Sequence, residues 1–137
     1  MRHGDPAADL ASMMATLSVY DSLFGPHHPQ TLCLGLEVAL AQWRAGQAGQ
    51  ARSLLKRVLR DIDAHLSGHH QLQLRAAAAL RDLLVEQRDH AAAVAIQQEI
   101  VERLTHQYGP GGAEAAAARH GLAALLLAAP FVSGSVS

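Results

Sequence analysis

The chain has 137 residues, of which 50% are hydrophobic and 17% are charged, and its formal net charge is −1. This composition is typical of a globular chain, and it lacks the basic excess expected of a nucleic-acid-binding protein. A single cysteine excludes an internal disulfide, and no apolar run reaches the length of a signal peptide or a membrane span. We therefore expect a cytoplasmic protein with one modest helical core.

Apolar residues recur at spacings of three and four, which predicts six α-helices and no β-strand. The first helix runs from about Pro6 to Leu23. Its type recurs in two later helices that end near Leu66 and Tyr108, with tight turns at 44–49 and 86–90 before them. Helices of a second type cover about Pro29–Ala45, Gln71–Gln87 and Ala113–Ala129. The two types alternate along the chain.

Three loops separate the helix pairs, and they are similar to one another. They begin "FGPHHPQT" at Phe24, "LSGHH" at Leu66 and "YGPGG" at Tyr108, and these starting points are 42 residues apart. Such fixed spacing is the signature of a repeat array. A single antiparallel hairpin cannot bury its own apolar face, so neighbouring hairpins are expected to stack.

The predicted fold class is therefore all-α, an α-solenoid of antiparallel helix hairpins with a 42-residue period. It forms one domain over residues 1–132, followed by a flexible tail at 133–137. The units are about 6–24 (half), 25–66, 67–108 and 109–130 (half).

The residues that mark these units resemble the tetratricopeptide repeat in its long form, as found in kinesin light chains and many bacterial regulators. The matching positions are His28-Pro29-Gln30-Thr31, Gly46 and Ala51 in the first full unit and His70, Arg88 and Ala93 in the second. In the third, Gly112 and Pro130 replace the histidine and the turn glycine. The resemblance covers roughly residues 9–129.

The resemblance implies a non-enzymatic scaffold that mediates protein–protein contact, with a protein or peptide as partner. A second hypothesis is a regulatory or sensor segment of a bacterial signalling or transcription system, acting beside an ATPase or a DNA-binding regulator. No nucleophile with its base, no paired carboxylates and no phosphate-binding loop can be assembled on one face of the predicted helices. We expect no cofactor, nucleic acid or membrane partner.

In tetratricopeptide repeats the second helix type lines a concave surface, where paired asparagines often hold a peptide backbone. This chain contains no asparagine. Recognition on that surface would depend on four charged or histidine side chains: Glu37, Arg75, Arg81 and His120. The alternative is that they form a solvated helix face.

The last predicted helix has no partner helix after it, because Pro130 ends it and few residues remain. Its leucines would then face water, which predicts self-association, most simply as a two-fold dimer. The expected contact residues are Leu122, Leu125, Leu126 and Leu127. In the alternative, Phe131 and Val132 fold back as a cap and the protein is a monomer.

The loop histidines could bind zinc or copper as a third functional class. However, the pairs His27/His28 and His69/His70 are expected to lie about 20 Å apart in stacked hairpins, too far to share an ion. We interpret them as loop and helix-start residues, and we assign no metal site. Arg52, Lys56, Arg57 and Arg60 form a basic stripe, which we interpret as a solvated face. Cys33 is expected to be a buried small residue with no cation near it.

Overall fold

A computed structural model describes residues 6–128. These residues form six α-helices and no strand, which confirms the all-α prediction and the number of helices. The bounds predicted for the first, second and fourth helices agree with the structure to within one residue. The helices are α1 (Pro6–Phe24), α2 (Pro29–Arg44), α3 (Ala48–His65), α4 (His70–Glu86), α5 (His90–Tyr108) and α6 (Ala113–Ala128). Within these residues, no helix is both long and apolar enough to cross a bilayer.

The chain divides into two compact units, residues 1–79 and 80–137, and the boundary falls inside α4. In the first unit α1 packs against α2, and α2 packs against α3. In the second unit α5 packs against α6. The prediction of one continuous domain over 1–132 stays a prediction.

The core of the first unit lies mainly between α2 and α3. The predicted apolar face of α3 is buried over about three turns, from Ala51 to Ile62. Leu55, Val58 and Ile62 are almost fully covered. Gly35 allows the two helices to approach closely, because a Cβ at this position would lie 3.1 Å from Cγ2 of Val58. A smaller cluster joins α1 to α2 through Leu10, Val38 and Ala41.

The predicted face of α1 is covered less completely than that of α3. Met13 and Leu17 pack at the edge of the α1–α2 cluster, but Thr16 and Phe24 are exposed. The apolar spacing therefore identified the helix correctly and overestimated how much of its face is buried. The cause is physical: α1 is apolar on several sides, so its sequence does not single out the side that packs.

The two tight turns, α2–α3 and α4–α5, have the same backbone hydrogen bonds at positions 42 residues apart. The N–H of Gly46 donates to the carbonyl of Trp43, as that of Arg88 does to Val85. In each turn the N–H of the next residue, Gln47 or Asp89, donates to the carbonyl five residues earlier. Gly46 and Arg88 both have a positive φ, 85° and 65°. The two turns are therefore the same local structure, one built with glycine and one with arginine.

The longer loops are less regular than the turns. The α1–α2 and α5–α6 loops share their hydrogen bonds at positions 84 residues apart, beginning with the N–H groups of Gly25 and Gly109. In the α3–α4 loop the corresponding bond is donated by Leu66, one residue earlier than the 42-residue spacing requires. Leu66 has a φ of −123°, whereas both glycines have a φ near 90°.

Candidate functional site

The sequence stretch "FGPHHPQT" is largely a helix start. His28 is the N-cap of α2, and its Nδ1 accepts a hydrogen bond of 3.1 Å from the backbone N–H of Gln30. Pro29 follows at the first helical position, where its missing N–H costs nothing. The ring of His28 also stacks on Phe24. The helix-start role predicted for this histidine is thus what the structure shows.

His27 was paired with His28 in the sequence analysis, but its ring lies against a different histidine in the structure. Its ring stacks on that of His65, at the end of α3, with centroids 3.8 Å apart and planes 10° from parallel. Parallel stacking places the two rings face to face rather than around a shared ion. Within residues 6–128, no group of three or more His, Cys, Asp or Glu side chains could hold a metal ion.

Two of the four predicted partner-binding residues bond to each other. Nη2 of Arg75 lies 2.8 Å from Oε2 of Glu37, so α4 is tied to α2 across the first unit. This hydrogen bond raises the pKa of the Arg75 guanidinium above its ordinary value, against the opposing effect of burial, and Cys33 adds a further favourable interaction. The expectation that Cys33 is fully buried with no cation nearby is therefore wrong, because Cys33 is half-buried and α4 brings Arg75 beside it.

The other two residues lie in the second unit. Arg81 bonds to Asp82 and donates from Nη1 to Oε1 of Gln97, at 2.8 Å. His120 is exposed on α6. Glu37 and Arg75 therefore form one pair in the first unit, and Arg81 belongs to a separate network. A shared partner-binding surface made of all four residues stays a prediction.

The leucines predicted to mediate self-association do not share one environment. Leu122 and Leu125 are half-buried, whereas 47% of Leu126 and 88% of Leu127 is exposed. Leu122 and Leu125 lie on the same side of α6 as the buried Ala115 and Ala118. The exposed apolar surface is therefore narrower than the sequence suggested. The alternative cap at Phe131 and Val132 lies outside the described residues.

The first unit has a groove between α1 and α3, and α2 forms its floor. Its volume is about 920 Å³, within the range of ligand-binding clefts. Floor residues come from one side of α2: Thr31, Leu32, Gly35, Val38 and Gln42. The α1 wall consists of Met14, Leu17, Ser18 and Asp21. The α3 wall includes Gln50, Ser53, Leu54, Arg57, Arg60 and Asp61, and Pro26 and His27 close one end.

Gln42 is an unusual floor residue. Only 7% of it is exposed, and its Oε1 is buried without any hydrogen-bond donor. Such an acceptor costs the folded protein free energy, about 1–3 kcal/mol for a typical buried polar group. Natural proteins keep few such groups, and a functional reason is one explanation for those that remain. Its oxygen lies below the surface of the groove, so the groove is a candidate binding site by its volume and its lining.

The walls of the groove carry unlike charges. Arg57 and Arg60 stand on α3 with Asp61 beside them, which leaves that wall with a net charge of +1, while Asp21 stands on the α1 wall. Neither arginine has an ion pair or a side-chain hydrogen bond to another residue of the described chain. An occupant of the groove would meet both signs of charge at one end.

Sequence reasoning missed this groove, although one signal was present. Gly35 and Gln42 lie seven residues apart on α2, so they share a face of the helix with the buried Leu32 and Val38. The glycine leaves space on this face and the glutamine adds a polar group, and a core helix usually has neither. The two walls, however, are far apart in sequence and meet only in the folded chain.

Comparisons with known proteins give this chain no identified relative. No family model, no curated protein and no solved structure matches it. The resemblance to tetratricopeptide repeats therefore rests on the loop and turn residues alone. Function has to be argued from the geometry of the site.

Proposed function

We propose that this protein is a non-enzymatic interaction module of tetratricopeptide type, built as a solenoid of helix hairpins with a 42-residue repeat. Support for the repeat comes from the two turns with equal hydrogen bonds at that spacing. Further support comes from Ala51 and Ala93, which are 42 residues apart and both fully buried at the starts of their helices. The one-residue offset of the α3–α4 loop is a local variation in this scheme.

The observation that carries the proposal is the groove of the first unit, with a volume of about 920 Å³ and three helices lining it. The groove also combines apolar side chains in its middle with unlike charges at one end, as protein-binding sites commonly do. The module therefore binds its protein partner in this groove.

Affinity capture from the source organism, with a groove-blocking variant, tests the proposal. Ser53 is exposed on the groove wall, so Ser53→Trp fills the opening without altering the core. Ala64 is exposed on the same helix outside the groove, so Ala64→Trp is the matched control. We expect a partner retained by the wild type and by Ala64→Trp, and lost with Ser53→Trp, as measured by quantitative mass spectrometry. Identical sets of retained proteins for all three baits would contradict the proposal.

A further inference from the structure

We propose that the α1–α2 loop is a pH-sensitive latch, which neutral histidines hold against α2 and α3 and which is released when they take up protons. The latch consists of residues 25–28, between the end of α1 and the start of α2. This inference goes beyond the proposed function, because it concerns the protein alone and holds whatever the partner is. It depends on two side-chain contacts, one made by His28 and one made by His27.

The contact of His28 needs a ring nitrogen without a proton. Its Nδ1 accepts the hydrogen bond from the backbone N–H of Gln30, so the ring is neutral and carries its proton on Nε2. The charged form has a proton on both nitrogens and offers no acceptor. It also places a positive charge at the N-terminus of α2, where the helix dipole disfavours it. Protonation of His28 therefore removes the cap of α2.

The stacking of His28 on Phe24 does not change this conclusion. The two ring centroids lie 5.0 Å apart, with the planes 30° from parallel. An aromatic face accepts a cation as well as a neutral ring, so both forms of the histidine fit this position. Tyr20 contacts the same Phe24 ring edge-on and brings no carboxylate or cationic group to it. The hydrogen bond from Gln30 is thus the contact that distinguishes the two forms.

The contact of His27 tolerates one proton but not two. Its ring lies parallel to that of His65, with centroids 3.8 Å apart. Two imidazolium charges at this distance repel each other, even where water reaches these exposed side chains. His69, in the loop that follows α3, cannot offset the repulsion, because it gains the same charge. Histidine changes its charge between about pH 5 and pH 8, so acidification in this range separates the loop from the end of α3.

The charged neighbours of the latch oppose one another. At the end of the groove that His27 closes, α1 contributes Asp21, and α3 contributes Arg57, Arg60 and Asp61. The α2 residues that line the groove are uncharged. Two carboxylates that favour a charged ring thus stand against two guanidinium groups that disfavour it. The two contacts, and not the surrounding charges, therefore determine the response to pH.

The direction of the pH effect follows from the neutral rings that both contacts need. The latch is held above the ordinary titration range of histidine, and it is released as the pH falls through about 6.5. Because Pro26 and His27 close one end of the groove, release of the latch opens that end. Mild acidification would thereby alter the groove in which we propose that the partner binds.

The α5–α6 loop provides a control within the same chain. It shares the backbone hydrogen bonds of the α1–α2 loop at positions 84 residues further on. Gly111 and Gly112 stand where the latch has His27 and His28. The second loop therefore has the same backbone bonds without the two titrating contacts, and it should not respond to pH in this range.

A pH titration of the intact protein from about pH 8 to about pH 5.5, followed by amide and imidazole NMR, tests the contact of His28. We expect the amide proton of Gln30 to move upfield with the same midpoint as the His28 ring, because it loses its acceptor. The amide of Glu114, at the equivalent position of α6, should not move. His28→Asn keeps an N-cap that does not titrate, so it should abolish the movement. A Gln30 amide that is indifferent to protonation of His28 would overturn the latch.

Hydrogen exchange at the two ends of this pH range, corrected for the intrinsic exchange rates, reports release of the whole loop. Loss of a helix cap predicts that the protection of segment 24–34 falls about fivefold on acidification. The protection of segment 108–118, which contains the control loop, should stay constant.

Two double variants identify the histidines responsible. His28→Asn/His65→Gln removes the titrating cap and one of the two stacked charges, so segment 24–34 should keep its protection. His106→Gln/His120→Gln changes two exposed histidines of the second unit and should respond to pH as the wild type does.

Equal protection of segment 24–34 at both pH values in the wild type would overturn the proposal. A loss in His28→Asn/His65→Gln as large as that in the wild type would also overturn it, since other groups would then be the cause. These measurements use no partner. They can therefore fail while groove-dependent capture succeeds, or succeed while capture fails, so the latch and the proposed function are tested separately.

Discussion

Two glutamines are buried among the described residues, and their surroundings differ. Gln97, with 2% exposed, accepts from Arg81 and donates from Nε2 to the carbonyl of Ala118, at 2.8 Å in both cases. Gly121 leaves room for this amide, because a Cβ there would lie 3.2 Å from its nitrogen. Gln42 has no such partner for its oxygen. Gln97 is thus a structural link between α4, α5 and α6, whereas the oxygen of Gln42 is unpaired within the described chain.

The same substitution at the two glutamines should change stability in different directions. Gln97→Met breaks both hydrogen bonds and should lower the free energy of unfolding by about 1–3 kcal/mol. Gln42→Met removes an unsatisfied acceptor at nearly constant volume and should leave it unchanged or raise it. Chemical denaturation of the two variants beside the wild type measures both effects. Equal losses at the two positions would show that Gln42 is a structural residue too.

The buried alanines provide a second test at the residue scale. Ala51 and Ala93 are fully buried, so leucine at either position must displace its neighbours, at a cost of about 1–3 kcal/mol. Ala64→Leu and Ala95→Leu, at exposed positions of the same two helices, serve as controls. Thermal melts should show a lower midpoint for the first pair alone. An equal decrease of the melting midpoint in all four variants would mean that helix propensity, and not packing, determines the effect.

At the scale of the element, the tight turns show how different residues give one structure. Both turns need a left-handed residue after the helix, which glycine adopts without strain and arginine does not. The turn glycine of the first hairpin was evident from the sequence. The equivalent conformation at Arg88 was not, because arginine does not favour the left-handed region by itself.

Exchanging residues between the turns should therefore shift stability in opposite directions. Gly46→Ala introduces a Cβ into a left-handed conformation and should cost about 1 kcal/mol. Arg88→Gly relieves that strain and should stabilise the protein, by up to about 1 kcal/mol after the extra entropy of the unfolded glycine is subtracted. Urea titrations measure both. A destabilised Arg88→Gly variant would indicate that the arginine side chain contributes more than its backbone costs.

Most of the helical elements could be predicted from the sequence, for a simple reason. Burial against one neighbouring layer imposes a spacing of three and four on apolar residues, and that spacing is visible in α3 at Leu55, Val58 and Ile62. Capping by His28 was also predictable, since histidine and proline at a helix start have local roles. The environment of Cys33 was not, because Arg75 reaches it from another helix.

At the scale of the whole molecule, the groove could not be predicted, because three helices must fold together before its walls exist. The self-association surface was predicted from leucines alone, and the structure divides them into two classes. Leu125 is half-buried and Leu127 is 88% exposed. The predicted self-association would therefore depend on the exposed Leu126 and Leu127.

Two charge substitutions separate folding from association in α6. Leu127→Glu should leave the thermal midpoint unchanged, because this side chain buries little surface in the fold. The same substitution should shift the protein toward monomer. Leu125→Glu should lower the midpoint, since it places a carboxylate in a half-buried position. Light scattering coupled to size exclusion, at tens of micromolar protein, reports the mass. A wild type that is already monomeric would contradict the homodimer.

The central claim is that a partner protein occupies the groove of the first unit. Photo-crosslinking in the source cells tests it most directly, with benzoylphenylalanine placed at Ser53 inside the groove and at Ala64 outside it. We predict one discrete crosslinked protein from position 53 and none from position 64. The same products from both positions, or none from position 53, would contradict the account.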